Sequence, residues 1–186
     1  THVHLANHFD RDGRAHRDAG NREPAEQATL FAVENAYRTL MAGLTTVQSL
    51  GARIDQHVRD FVARGSVPGP RVITSYEWVT EGDPEALRRA VRERVEAGAD
   101  AEKIFASKSI REAGVPTLSE EQLKAACGEA KALGRRSVIH AHAAEAIRRA
   151  AAAGCTTIEH GALADDAALR AMAERGMYFD PNVHLV

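Results

Sequence analysis

Four segments of the sequence carry side chains that could bind metal ions. The first is Thr1-His2-Val3-His4, at the start of a short apolar and β-branched run. Alternate side chains of a β-strand point to the same face, so His2 and His4 should project together. Neutral imidazole is a good ligand for zinc and similar ions, and two imidazoles on one strand form half of a metal site.

The later segments place similar chemistry in other apolar runs. Lys103 lies inside Glu102-Lys103-Ile104-Phe105, and a lysine in the middle of a buried strand indicates a functional role. His140-Ala141-His142 repeats the spacing of the first pair, and only one of these two histidines need be a ligand. Glu159-His160-Gly161 ends a further run. Together the four segments, three of which carry histidine, favour a metal centre over unrelated structural roles for these side chains.

Hydrophobic periodicity predicts the elements that must position these side chains. Seven short runs, rich in β-branched or apolar residues, are predicted as strands: His2–Leu5, Thr45–Leu50, Arg71–Thr74, Lys103–Ala106, Ser137–His142, Thr156–His160 and Met177–Phe179. Six amphipathic patterns between them are predicted as helices: Pro24–Met41, Ile54–Arg64, Pro84–Ala97, Ser119–Leu133, Ala143–Ala153 and Asp165–Arg175. Glycine follows each predicted helix, as expected of a left-handed C-terminal cap.

This repetition of helix, glycine and strand predicts parallel strands covered by helices. A doubly wound open sheet is one solution, but the regular period and the lack of a Gly-rich phosphate loop after the first strand favour an α/β fold of the (β/α)8 TIM-type barrel. Seven strands leave the barrel incomplete, so we expect that the eighth strand and a leading β-sandwich segment are absent. Residues 1–186 are expected to form one catalytic barrel domain. Active sites of such barrels gather at the C-terminal ends of the strands, where the candidate ligands lie.

The composition is that of an ordinary soluble protein, with 44% hydrophobic residues, 27% charged residues and a net charge of −2. It gives no reason to expect a nucleic-acid or membrane partner, and it leaves a homo-oligomer open. Cys127 and Cys155 lack the spacing of a zinc finger and suggest no disulfide. We therefore expect a reducing, cytoplasmic compartment.

The segments in combination resemble the metal-dependent amidohydrolase superfamily, in its imidazolonepropionase-like and Xaa-Pro dipeptidase-like branch. The resemblance rests on THVHL at 1–5, AGLTTV at 42–47, EKI at 102–104, VIHAH at 138–142 and AGCTTIEHG at 153–161. These phrases extend across essentially the whole chain. Each phrase is common alone, but their order is specific.

The resemblance implies a centre of two divalent metal ions, with zinc as the expected metal. His2 and His4 would hold the first ion, and His140 and His160 would hold the second. Lys103 would bridge the ions after reacting with carbon dioxide to form a carbamate. A metal-bridging hydroxide would then cleave the amide bond of a dipeptide or an N-acyl amino acid.

The resemblance also indicates what lies around the metals. By the register of the motif His140 is the favoured ligand, which leaves His142 as a substrate contact, and His184 is a second candidate for that role. The family's aspartate at the end of strand eight is expected beyond Val186, and Asp180 on strand seven does not match it. No residue of this chain is therefore assigned as the proton-transfer group. His8, His16 and His57 match nothing in the family and are expected at the surface.

Two other functions remain open at this point. One is a mononuclear amidohydrolase that acts on a ring amide or as a deaminase, for which a carbamate on Lys103 would have no purpose. The other is a non-catalytic protein on the same scaffold. Retention of His2, His4, His140 and His160 argues against the non-catalytic alternative.

Overall fold

The computed structural model describes residues 1–17 and 22–182. The chain divides into two compact units between Glu77 and Trp78. The prediction of a single catalytic barrel domain remains a prediction, and each unit is described here by itself. Among the described residues, no helix has both the length and the apolar character needed to cross a membrane.

The first unit contains a small parallel sheet, a hairpin and two helices. Its elements are β1 His2–Val3, β2 His8–Phe9, β3 Ala15–His16, α1 Ala25–Met41, β4 Thr46–Ser49, α2 Asp55–Ala63 and β5 Arg71–Thr74. The parallel sheet has the strand order β1-β4-β5, and β2 and β3 form the antiparallel hairpin. Helix α1 packs three alanines, spaced by four residues, into the core of this unit: Ala28, Ala32 and Ala36. This spacing aligns them on one face of the helix.

The second unit is a five-stranded parallel sheet with helical connections. Its elements are β6 Trp78–Val79, α3 Pro84–Glu96, β7 Ala101–Phe105, a 3-10 turn at Ile110–Glu112, α4 Glu120–Ala132, β8 Arg136–Ala143, α5 Ala144–Ala152, β9 Thr157–Leu163, α6 Asp166–Glu174 and β10 Tyr178–Asp180. The strand order is β10-β9-β8-β7-β6.

Local sequence signals explain where these helices begin. Asp83 accepts the backbone N–H of Ala86 at the start of α3, with proline at the first helical position. Ser119 and Gln122 form a reciprocal capping box at the start of α4, as the sequence indicates. These caps satisfy amide groups that a helix leaves without partners at its first turn.

The two faces of the large sheet have different chemistry. Ile104, Ile139 and Ile158 are register partners on β7, β8 and β9, and they pack in the hydrophobic core with the helices. Side chains alternate along a strand, so the next register row belongs to the opposite face. That row runs through Phe105, His140, Glu159 and Asp180, and it carries the polar site.

The α/β architecture and the alternation of parallel strands and helices are confirmed. The seven predicted strands and six predicted helices all occur, with ends shifted by at most about three residues. The hairpin β2–β3 and strand β6 were not predicted, because strands of two residues are too short to show an alternating pattern.

The expectation for the cysteines is wrong. Cys127 on α4 and Cys155, just before β9, form a disulfide with their Cα atoms 5.2 Å apart. Both residues are buried in the core of the second unit. The sequence separation of 28 residues gives no hint of this contact, which exists only because α4 and the start of β9 pack together. Cytoplasmic location stays a prediction, and a disulfide is uncommon in a reducing compartment.

Candidate functional site

His2 and His4 converge in the first unit as their spacing predicts. Their Nε2 atoms lie 3.2 Å apart, and the centroids of the two rings are 4.8 Å apart. His2 is half-buried, while His4 is exposed. The pair therefore presents two imidazole nitrogens to one point near the surface of the first unit, a geometry that suits two ligands of one metal ion.

Buried polar groups fix the chain that follows this pair. The backbone N–H of Leu5 donates to Ser49 Oγ at 3.1 Å, and the Asn35 side chain donates to the carbonyl oxygens of Leu5 and Asn7. Asp55 is buried beside Ser49, and burial raises the pKa of its carboxyl to about 7, although hydrogen bonds from Ser49 and Ala52 act in the opposite direction. These contacts hold the end of β1 against β4 and the start of α2.

Three histidines come together in the second unit. One ring nitrogen from each of His140, His142 and His160 lies within 4.8 Å of the others. The ring centroids are 4.6 Å apart for His140 and His160, and 5.0 Å apart for His142 and His160. His142 and His160 are buried, and His140 is half-buried with its ring stacked on Phe105. Three converging imidazoles form a donor set suited to zinc and similar ions.

The backbone at His160 explains how its ring joins the other two. His160 is the register partner of Ala141, so strand alternation alone would place it on the face opposite His140. Its φ of +76° is left-handed, and a register shift follows between Ala141 and Ala143. A left-handed conformation costs about 1–3 kcal/mol in a residue other than glycine and concentrates at functional sites. The local turn of the chain re-aims the His160 ring toward the other histidines.

The loop after β7 fixes the position of His142. The backbone N–H of His142 donates to Ser107 Oγ at 3.1 Å. Gly114 approaches so closely that an added Cβ would lie 2.6 Å from the His142 Cβ, and its φ of +59° is also left-handed. Only glycine meets both conditions without displacing His142 or its strand. Neither residue was singled out from the sequence, since a serine and a glycine in a loop carry no spacing signal.

Lys103 lies next to this histidine cluster in a buried position. Its side chain is 1% exposed, and among the described residues Nζ makes no hydrogen bond. Burial lowers the pKa of the Lys103 ammonium, although the negative charges of Glu159 and Asp180 act to raise it. Burial likewise raises the pKa of the Glu159 carboxyl and lowers the pKa of His142, the latter with a contribution from Lys103. Burial therefore disfavours the charged forms of Lys103 and His142 and makes the neutral amine of Lys103 easier to form near neutral pH.

The structure brings some of the predicted residues together. His2 and His4 form one group in the first unit. His140 and His160 form another in the second unit together with His142, and Lys103 lies close enough to affect the pKa of His142. His184 lies outside the described residues. Glu159, which the sequence left undecided, is fully buried in the same register row as His140.

Parallel strands joined by helices, with histidines near the carboxyl ends of the strands, give this α/β protein the strand–helix alternation and the site position of a TIM-type barrel. The chain matches the profile of the Amidohydrolase family over residues 1–186, and it belongs to that family. The resemblance drawn from the motifs is thereby confirmed.

Known proteins similar to this chain agree with the family. A Xaa-Pro dipeptidase with methionine bound in its active site superposes with a TM-score of 0.88 and 27% identity, covering 99% of this chain and 52% of that one. A prolidase complexed with N-methylphosphonate-L-proline gives a TM-score of 0.80 and 27% identity, covering 96% of this chain and 50% of that one. Ochratoxinase of Aspergillus niger is 32% identical over 99 residues, which are 51% of this chain and 21% of that protein. The chain thus spans about half the length of the two solved structures.

Proposed function

We propose that this chain carries the metal-binding part of a hydrolase that cleaves the amide bond of a dipeptide or an N-acyl amino acid. The observation that carries the proposal is the cluster of His140, His142 and His160 beside a buried Lys103. The similar Xaa-Pro dipeptidase and prolidase support a dipeptide as the substrate class. Membership of the Amidohydrolase family supports hydrolysis of a carbon–nitrogen bond.

The donor set fits metal ions, with zinc as the expected metal. His140 and His160 are the proposed ligands of one ion, and His2 and His4 of another. His142 Nδ1 is buried without a hydrogen-bond partner among the described residues, which leaves this imidazole free to contact an ion or a substrate. When bound, such ions supply Lewis-acid activation of water and of the amide carbonyl at neutral pH.

Lys103 fits this site only in a modified form. An ammonium would repel a cation, whereas the neutral amine, which burial makes easier to form by lowering the pKa of Lys103, can attack carbon dioxide. The amine nitrogen forms a bond to the carbon, one proton is released to solvent, and the product is an anionic carbamate. A carbamate offers two oxygens like a carboxylate, so we propose it as a further metal ligand.

The remaining groups on this face of the sheet shape the site. Phe105 stacks on the His140 ring with the centroids 4.5 Å apart, and it contacts Trp78 on its other side. These rings restrict the orientation of His140 and reduce access of water to it. Glu159 on β9 balances the charge of Lys103 on β7, with β8 lying between the two strands.

A mononuclear amidohydrolase is the second candidate, because the three histidines alone supply the three protein ligands that one catalytic zinc ion needs. Metal analysis separates the two. Two equivalents of zinc that are lost when His2, His4, His140 and His160 are replaced support the two-metal proposal, and one equivalent that depends on His140 and His160 alone supports the mononuclear alternative. A protein that binds no divalent metal would overturn both and favour the non-catalytic alternative.

The activity test uses a panel of Xaa-Pro dipeptides, other dipeptides and N-acyl amino acids with the zinc-loaded protein. We expect release of a free amino acid that is lost in His160→Ala. The matched control is His57→Ala, which removes an exposed histidine on α2 and should keep full activity. Zinc-loaded protein that hydrolyses no member of the panel would refute the proposed substrate class.

A further inference from the structure

A second cluster of metal-binding side chains lies in the first unit, away from the motifs of the family. His8 on β2, His16 on β3 and Glu23 each offer a ligand atom, all within 4.8 Å of one another. The hairpin brings the two histidines together, because they are direct register partners of its antiparallel ladder. The expectation that both are simple surface residues is wrong for His8, whose side chain is only 6% exposed.

We propose that His8, His16 and Glu23 form a separate binding site for a divalent transition-metal ion of the zinc type. Two imidazoles and one carboxylate are a common set of three protein ligands, with water as the fourth. The proposal does not depend on the proposed hydrolase function, because none of these residues belongs to that site.

The hydrogen bonds of His8 leave the correct nitrogen available. His8 Nδ1 lies 3.3 Å from the carbonyl oxygen of Ala6, which can only accept, so Nδ1 carries the proton. Nε2 then has a lone pair, and it lies 3.6 Å from Glu23 Oε1. Two ligands of a tetrahedral zinc ion are about 3.3 Å apart, given bonds of roughly 2.0–2.1 Å. His8 is therefore held in the tautomer and position that a metal ligand needs.

His16 has a similar arrangement with a carboxylate behind it. Its Nδ1 lies 2.6 Å from Glu23 Oε1, and its Nε2 lies 3.2 Å from Asp10 Oδ2. A metal-binding imidazole usually donates its other N–H to a carboxylate, which fixes the ring and strengthens the ligand. Asp10 is itself fixed, because its Oδ1 accepts the backbone N–H groups of Asp12 and Arg14. An ion would replace the proton shared by His16 and Glu23.

Binding needs only a small rearrangement of the side chains. The rings of His8 and His16 are nearly parallel, at 12°, so one must turn before both lone pairs meet at one ion. His8 is stacked on Phe31, whereas the His16 side chain is 37% exposed and can rotate. Gln27 donates to Glu23 Oε2 at 3.3 Å and leaves Oε1 facing both imidazoles. His8 and Glu23 are thus already positioned for an ion, and His16 is the ligand that must rotate.

The test is a titration of metal-free protein with Zn²⁺ and Co²⁺ in the His2→Ala/His4→Ala/His140→Ala/His160→Ala background, which lacks the histidine ligands proposed for the hydrolase site. Binding is followed by calorimetry and by the visible spectrum of Co²⁺. We expect one remaining site with nitrogen and oxygen ligands, which His8→Ala and Glu23→Gln each abolish. His57→Ala should leave it unchanged. Circular dichroism establishes that each variant is folded.

The most specific variant is Asp10→Asn. Asparagine keeps the oxygen that accepts the N–H groups of Asp12 and Arg14, but it presents NH₂ instead of Oδ2 to His16 Nε2–H. We expect zinc affinity to fall roughly 10–100-fold, as for other outer partners of a ligand histidine. The matched control Asp12→Asn alters an exposed carboxylate of the same turn and should not change affinity.

Two results would overturn the proposal. One is equal metal binding by the background protein and its His8→Ala variant. The other is a pH titration of the His16 imidazole that is the same with and without added Zn²⁺, since this cluster would then bind a proton but no metal ion. Loss of hydrolase activity with this site intact would concern the proposed function only, so failures of the two proposals can be told apart.

Discussion

The two compact units of this chain hold their histidines in opposite ways. In the second unit, His142 and His160 are buried on long strands, a backbone contact to Ser107 keeps His142 in place, and burial lowers the pKa of His142. In the first unit, His8 and His16 lie on a hairpin of two-residue strands and are oriented by carboxylates. Burial therefore holds the imidazoles of the second unit in place, whereas charged side chains orient those of the first unit.

This difference has a consequence for how each cluster responds to change. A buried site fixed by packing should fail when a single atom is added beside it, since a close-packed interior has no room to adjust. A site whose ligands are oriented by charged hydrogen bonds should only weaken when a supporting carboxylate such as Asp10, rather than a ligand, is replaced. The predictions below test this contrast, beginning with the largest expected effect.

Replacement of Lys103 by methionine should have the largest effect on function. Methionine keeps the volume and the burial but removes the amine that could form a carbamate. We expect the bound metal to decrease and hydrolysis to fall by more than the roughly 10–100-fold that is typical of residues one step from a metal. Loss of the Lys103 charge also leaves the buried Glu159 carboxyl without its opposite charge, so the unfolding free energy should fall as well.

The carbamate itself can be observed directly. ¹³C-labelled bicarbonate added to the protein should give a carbamate carbonyl resonance that is absent from Lys103→Met. Metal content and activity that survive in this variant would show that Lys103 is a structural lysine.

Asp55 provides the corresponding test of a buried group in the first unit. The pKa of its carboxyl is about 7 in the folded protein, against an ordinary value of 3.8, so the folded state holds this proton to higher pH than the unfolded state. Stability should therefore fall as pH rises from about 4 to about 7, and the cost should be complete above pH 7. Asp55→Asn should remove this cost and raise the unfolding free energy at pH 8.5 by up to about 4 kcal/mol.

The control for this measurement is Asp60→Asn on the same helix, since Asp60 is exposed. For Asp60→Asn, denaturant unfolding should give the same difference in unfolding free energy between the variant and the original protein at pH 4.5 and at pH 8.5. An Asp55→Asn variant with no gain at high pH would mean that Asp55 is ionised through contacts stronger than those with Ser49 and Ala52.

The disulfide should stabilise the second unit specifically. A link that closes a loop of this length contributes about 3–4 kcal/mol, chiefly by restricting the unfolded chain. Cys127→Ala/Cys155→Ala should lower amide-exchange protection in β8, β9 and α4 while protection of α1 stays unchanged. Thiol titration of the unfolded, non-reduced protein should detect no free thiol, and detection of two would disprove the pairing.

The sequence was sufficient for the regular elements and insufficient for contacts that depend on the folded chain. Periods of two and 3.6 residues are local, so the strand of His140 and the helix of Leu87 could be located directly. The Cys127–Cys155 bridge and the His8–His16 pairing join residues whose proximity no local pattern encodes.

The same limit applies within the candidate site. Motif spacing placed His160 at the site, but the left-handed backbone that turns its ring toward His140 has no signature in the sequence. Nor does the sequence show that Gly114 faces His142. The motifs thus identified the side chains, whereas the left-handed backbone at His160 and the loop that contains Gly114 determine where those side chains point.

The smallest change with a clear expected effect is Gly114→Ala. The added methyl would lie 2.6 Å from the His142 Cβ and 2.8 Å from the Ala143 nitrogen, at a φ that alanine rarely adopts. We expect the unfolding free energy to fall by about 1–3 kcal/mol and activity to fall roughly 10-fold, because His142 must move. The matched control is Gly128→Ala, at an exposed position of α4 with nothing within 4 Å, which should raise stability by about 0.5–1 kcal/mol. If Gly114→Ala keeps full activity and metal content while its stability falls, the loop supports the fold alone, and the position of His142 does not depend on close packing.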